Sequence, residues 1–120
     1  MEKSHKTLDV WIKSFELTKS IYAVTKKFPS EEKYGLVSQM RRASVSIPSN
    51  IAEGAARQTK KDALYLFVVA RGSLSELDTQ IELSRSLEMI GDTDYQLLTT
   101  QINSVDSLLS GFIRYRRSRN

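Results

Sequence analysis

The chain has no cysteine, a single histidine, few prolines and glycines, and no long apolar run. Without cysteine there is neither a disulfide frame nor a thiolate metal site. His5 stands alone near the N-terminus, so a serine–histidine pair is not expected, and no Glu-x-x-His motif offers a bundle di-metal site. With only 2 prolines and 5 glycines in 120 residues, long helices are favoured over many short strands. The longest apolar run, Ala63 to Ala70, is far short of the ~20 residues of a membrane span. Met1 to Val10 is polar and lacks the apolar stretch of a secretory signal. No phosphate loop of the Walker type and no dinucleotide fingerprint occurs. Arg71-Gly72-Ser73-Leu74-Ser75-Glu76 resembles a nucleophile elbow only superficially, because it lacks the second glycine and the strand–turn–helix setting. The expectation is a soluble cytoplasmic protein without membrane contact, not an enzyme, with no cofactor and no metal.

What the chain does have is positive charge, unevenly placed. The net charge is +4 and the isoelectric point near 9.4, which makes an acidic partner such as RNA or DNA plausible. Arg114-Tyr115-Arg116-Arg117-Ser118-Arg119 concentrates four arginines, and Arg57, Lys60 and Lys61 form a second cluster. Residues 63–93 lean acidic, with Glu76, Asp78, Glu82, Glu88 and Asp92 against Arg71 and Arg85. Guanidinium forks suit phosphate, and Tyr115 between arginines is placed to stack on an exposed base. Arg57, Lys60, Lys61, Arg114, Tyr115, Arg116, Arg117 and Arg119 are therefore the nucleic-acid-binding candidates. The competing explanation is a solvated cationic helix end favoured by the helix dipole. For Arg41 and Arg42, mid-helix, an internal ion pair is expected.

Periodicity gives four helices and one domain over residues 1–120, with an ordered core of about 8–113 and a basic tail at 114–120. The first helix runs from Leu8 to Phe28, where Pro29 disfavours continuation. Ser30 caps the second, which reaches Ala55. Thr59 caps the third, with Asp62 completing a near capping box, and Gly91 ends it. Asp92 or Asp94 caps the fourth, which runs to Arg117 with the stripe Leu98, Ile102, Val105, Leu109 and Phe112. Short linkers imply an up-down-up-down four-helix bundle. The first helix carries two opposed apolar faces, Leu8, Trp11, Ile12, Phe15 and Tyr22 against Val10, Leu17, Ile21, Val24 and Phe28. An edge helix needs one stripe, so the other points to a second subunit, unless the large residues merely wrap a wide core face. The stripe Val10, Leu17, Ile21, Val24 and Phe28 is assigned to the oligomer interface.

The segment Gln39-Met-Arg-Arg-Ala-Ser-Val-Ser-Ile-Pro-Ser-Asn-Ile-Ala-Glu-Gly54 has helical spacing, yet holds Pro48 inside it. A proline there supplies no amide and crowds the carbonyl of Ser44, so a kinked helix is expected. Its many small residues suit close approach of another backbone. Ser46, Asn50, Glu53 and Arg57 share one face. That face is either a polar groove or pore lining, or a buried network of Arg42, Ser46, Asn50, Glu53 and Arg71 that serves backbone freed by Pro48 and fixes register.

These residues also carry a resemblance. Leu8-Asp-Val-Trp11, Phe28-Pro29, Glu32-Lys-Tyr-Gly-Leu36, the Gln39–Gly54 segment, Arg57, Phe67 to Ala70 and Gly72-Ser-Leu-Ser-Glu-Leu77 resemble the bacterial four-helix proteins encoded in intervening sequences of 23S ribosomal RNA genes, also labelled S23 ribosomal protein. The likeness covers residues 8–113, and Arg71 before Gly72 is a minor departure. It implies an all-α monomer assembled into a homopentamer with a basic surface, and no catalytic residues. It implies no ribosomal role, since the label comes from gene location. The chain is similar also to the accessory variability determinant of diversity-generating retroelements, a pentamer that binds nucleic acid and a reverse transcriptase. Five copies at +4 each sum to a charge near +20, enough for strong, salt-dependent phosphate attraction. The expected function is non-enzymatic, electrostatic RNA or DNA binding with low sequence specificity. The alternative is an interaction scaffold or accessory subunit for a reverse transcriptase or other nucleic-acid enzyme.

Overall fold

The computed structural model describes residues 4–119, and among them the only regular structure is helical. Met1 to Lys3 and Asn120, which the single-domain expectation includes, lie outside the described residues. A short 3-10 turn at Ser4–Thr7 leads into α1 (Asp9–Thr25), followed by α2 (Leu36–Ala55), α3 (Lys60–Ser86) and α4 (Asp92–Arg117). Each helix neighbours two others, α1 with α2 and α4, and α3 with α2 and α4. This is the arrangement of a four-helix bundle, 47 Å long and 25 by 21 Å across. None of the described helices is long and apolar enough to cross a membrane.

Local chemistry explains most boundaries. Thr59 caps α3 as expected, its hydroxyl accepting the Asp62 amide at 3.2 Å. Ser30 does not cap the second helix. It opens a single 3-10 turn, Ser30–Glu32, and the carboxylate of Glu32 accepts the Leu36 amide at 3.2 Å at the start of α2. Nor does Gly91 end the third helix. Helix α3 stops at Ser86, and Glu88 takes the left-handed conformation with φ of 60°. The Met89 amide then reaches the Ser84 carbonyl at 2.9 Å and the Glu88 amide reaches Arg85 at 3.1 Å, a Schellman closure built without glycine. Gly91 precedes α4 as its N-cap.

The core settles which face of α1 points inward. Val10, Leu17, Ile21, Val24 and Phe28 are buried within the chain, with Leu17 and Ile21 fully covered. They pack with Met40, Ile47 and Ile51 of α2, Phe67 and Leu77 of α3, and Leu98 and Leu109 of α4. Their assignment to a subunit interface is therefore corrected, since these compact aliphatics fill the bundle's own interior. The opposite face, with Ile12, Phe15 and Tyr22, is the one left outside. On α4, Ile113 joins the buried stripe while Phe112 is partly covered.

Helix α2 continues through Pro48, whose ring is buried. The Ser44 carbonyl cannot find an amide four residues on, and it lies in a fully covered part of the chain. Thr18 of α1 supplies the donor. Its hydroxyl lies 2.9 Å from the Ser44 oxygen and 3.1 Å from that of Ser14. Farther along, α2 and α3 meet so closely that a Cβ on Gly54 would sit 2.8 Å from Phe67 Cδ1 and 3.1 Å from the Ala63 carbonyl. Replacing Thr18 by valine keeps the volume and removes the donor, so stability is expected to fall by about 1–2 kcal/mol. Thr18→Ser should retain most of it. Thermal denaturation of the two variants checks this, and an unchanged midpoint for Thr18→Val contradicts it.

Candidate nucleic-acid interface

Antiparallel packing puts the beginning of α3 beside the end of α4, so the two basic clusters of the sequence come together at one end of the bundle. The ammonium of Lys60 donates to the Arg117 carbonyl at 2.6 Å, serving one of the orphan carbonyls that end α4. Arg114, Arg116 and Arg117 belong to the last turns of α4 rather than to a separate tail. Their position at the negative end of the helix dipole is itself favourable.

The candidates nonetheless divide by what they touch. Arg116 lies over the rings of Phe67 and Phe112, 5.3 and 5.7 Å from their centroids, and those rings meet edge to face. It closes the core at this end, a cation–π role that fixes its guanidinium. Arg119 sits over the Tyr115 ring at 5.2 Å and donates to its hydroxyl at 2.8 Å, so the stacking face expected of Tyr115 is occupied on that side. Arg57 stands 3.8 Å from Glu53 in an exposed pair of little strength. The side chains of Lys61, Arg114 and Arg117 meet no carboxylate among the described residues. Lys60, Lys61 and Arg117 border an open groove of about 650 Å³ floored by Leu64, Tyr65 and Val68. Tyr65 was not among the sequence candidates. Its place one turn beyond Lys61 on the same helix face is the signal that marks it.

Elsewhere the charges are mixed, several of them paired, while Lys33, Arg42 and Arg71 meet no carboxylate among the described residues. At the opposite end Lys27 pairs with Asp94 at 2.6 Å and Arg85 pairs with Asp92. Along α3 and α4, Asp78 is held above the usual carboxylate range, first by partial burial and then by the charges of Glu82 and Asp106. The phenol of Tyr95, donating to Glu82 at 2.7 Å, is raised chiefly by that hydrogen bond.

The expected polar network is present only in part. Asn50 donates to the Ser46 carbonyl at 2.8 Å and to its hydroxyl at 2.9 Å. The Ser46 hydroxyl meets that of Ser73 at 2.8 Å, joining α2 to α3. Ser73, which the sequence offered only as part of a failed nucleophile elbow, is thus a structural partner. Arg42 and Glu53 are exposed, and Arg71 makes no hydrogen bond with a described residue through its side chain. None of the three is part of the network: Arg42 and Glu53 turn toward solvent, and the half-buried Arg71 finds no partner there. The carbonyl freed by Pro48 is served by Thr18, not by Asn50 or Glu53. Arg41 forms no ion pair either among the described residues. It lies 4.6 Å over the Tyr22 ring and donates to the Thr25 hydroxyl at 3.0 Å, tying α2 to the end of α1.

A second surface feature lies between α1 and α2. Trp11, Phe15, Tyr22, Val45, Pro48 and Ala52 line an apolar groove of about 670 Å³, with Phe15 45% exposed. An aromatic lining that size on one face is the kind of surface that another polypeptide covers.

The chain belongs to the 23S rRNA-intervening sequence protein family, which it matches over residues 6–111. It is similar to a crystal structure of a protein of unknown function from the S23 ribosomal protein family of Bacteroides thetaiotaomicron VPI-5482. The two are 25% identical, with a TM-score of 0.81 over 88% of this chain and 95% of that one. Among curated proteins no relative is found.

Proposed function

We propose that this chain is the subunit of a cytoplasmic homo-oligomer, a pentamer in the form its family resemblance implies, that holds RNA or DNA electrostatically and performs no catalysis. One observation carries the reading. Cations from the start of α3 and the end of α4 converge on one end of the bundle, where Lys60 reaches the Arg117 carbonyl. Lys61, Arg114 and Arg117 are the free phosphate ligands there, and Arg57 is held only by an exposed pair. Contacts of this kind position a backbone and carry little base information, so sequence discrimination is low. Assembly multiplies the effect, because five charges of +4 add to a field of about +20.

The assembly reading assigns the outward face of α1, with Ile12, Phe15 and Tyr22, to the neighbouring subunit in place of the buried stripe. A bend of α2 at Pro48 belongs to the same proposal, since the ring stands where an amide would close the turn. The second reading is an accessory subunit for a reverse transcriptase or another nucleic-acid enzyme, as the similarity to the retroelement determinant implies. The apolar groove of α1 and α2 is the observation that favours it.

Fluorescence anisotropy with a labelled structured RNA tests the function. Affinity is expected to fall on the order of 10³-fold between about 50 and about 200 mM salt if six or so phosphates are held. A triple Lys61→Glu, Arg114→Glu, Arg117→Glu variant should flatten that slope by roughly three phosphate contacts. Absent binding at low salt, or binding indifferent to salt, contradicts the proposal. Light scattering after size exclusion is expected to give a multiple of 13.7 kDa, reduced to that mass by Phe15→Glu without loss of helicity. A monomeric mass for the unaltered chain contradicts the assembly.

A further inference from the structure

The five tyrosines of the chain differ in one respect. Arg41 lies 4.6 Å over Tyr22, Lys33 5.5 Å over Tyr34, Arg85 5.0 Å over Tyr95 and Arg119 5.2 Å over Tyr115. Tyr65 alone has no cation over its ring among the described residues. It is also 68% exposed, and no described residue hydrogen-bonds its hydroxyl. A ring left so open adds little to folding. Its surroundings give it another use.

Lys60, Lys61, Leu64, Tyr65 and Val68 occupy one face of α3, and Arg117 arrives from α4 to complete the groove. The floor is apolar and the rim is cationic. Phosphate binding alone has no need of an apolar floor, and the cationic rim suits an acidic ligand. An unpaired nucleotide fits both parts, its base lying on the floor and its phosphate at the rim.

We propose that Tyr65 is a stacking platform for unpaired bases, with Lys61 and Arg117 as the flanking phosphate ligands, so that the groove selects single-stranded polynucleotide over duplex. The inference rests on the nucleic-acid reading above and names its substrate class. In a duplex the base faces are already stacked on one another, and only the phosphates remain for the rim. A single strand engages rim and floor together. Tyr115 is the weaker platform because Arg119 already covers its ring.

The test uses the full chain in its assembled state, with fluorescein-labelled oligo-U, oligo-dT and a duplex of matched length titrated at one low salt concentration. The single strands are expected to bind more tightly than the duplex. Tyr65→Ala should weaken single-strand binding roughly 10-fold and leave duplex binding unchanged, while Tyr65→Trp should restore it. Oligo-U and oligo-dT are both expected to bind, since stacking is common to both. Circular dichroism confirms that each variant keeps its helicity. Equal affinities for strand and duplex, or a Tyr65→Ala variant that loses neither or loses both, overturn the stacking site while salt-dependent binding survives. If no polynucleotide binds at all, the nucleic-acid reading fails and this inference with it.

Discussion

The structure depends on α2 passing through a proline without ending there. Pro48 removes one amide and leaves the Ser44 carbonyl with no partner in its own helix, and the hydroxyl of Thr18 on α1 meets that carbonyl at 2.9 Å. Burying an unpaired carbonyl costs more than a typical hydrogen bond contributes, so this one contact favours a continuous α2 packed on α1. The continuity of α2 in turn sets where α3 begins. A helix stopped at residue 48 would not carry Gly54 to its close seat on Phe67 and Ala63, and the turn into α3 would begin too early. As built, the turn brings Lys60 and Lys61 to the level at which α4 ends.

That placement determines the electrostatics. Carboxylates face one another along α3 and α4, where Asp78 resists ionisation because of burial and the nearby Glu82 and Asp106. At the far end Lys27 is matched with Asp94 and Arg85 with Asp92. The end formed by α3's first turn and α4's last turn gathers cations from two helices, and Lys61, Arg114 and Arg117 there meet no carboxylate among the described residues. Some of its arginines are structural, as Arg116 over two phenylalanines illustrates, so fewer cations are free there than the number of basic residues suggests.

Much of this was legible in the sequence where the cause is local. The four helices, the stop near Phe28-Pro29 and the Thr59 cap all depend on neighbours a few residues apart. The inward face of α1 was not legible, because both of its stripes are apolar and the choice is made by α2 and α4. The compact stripe of Val10, Leu17 and Ile21 was taken inside and the aromatics Phe15 and Tyr22 were left out. The same limit hid Thr18–Ser44, Ser46–Ser73 and Lys60–Arg117, each a contact between helices whose partners lie far apart along the chain. The basic clusters were visible, but not which arginines were already engaged. That division separates Tyr65, which was overlooked, from Tyr115, which was singled out.

The central claim is that the end shared by α3 and α4 is the nucleic-acid surface. Ultraviolet crosslinking of a labelled single strand to the unaltered protein, with the adducts mapped by peptide mass spectrometry, tests it most directly. The account predicts adducts within residues 60–68 and 114–119 that disappear as salt is raised. Adducts centred on Trp11, Phe15 and Tyr22 in the groove between α1 and α2, or no adducts at low salt, would contradict it.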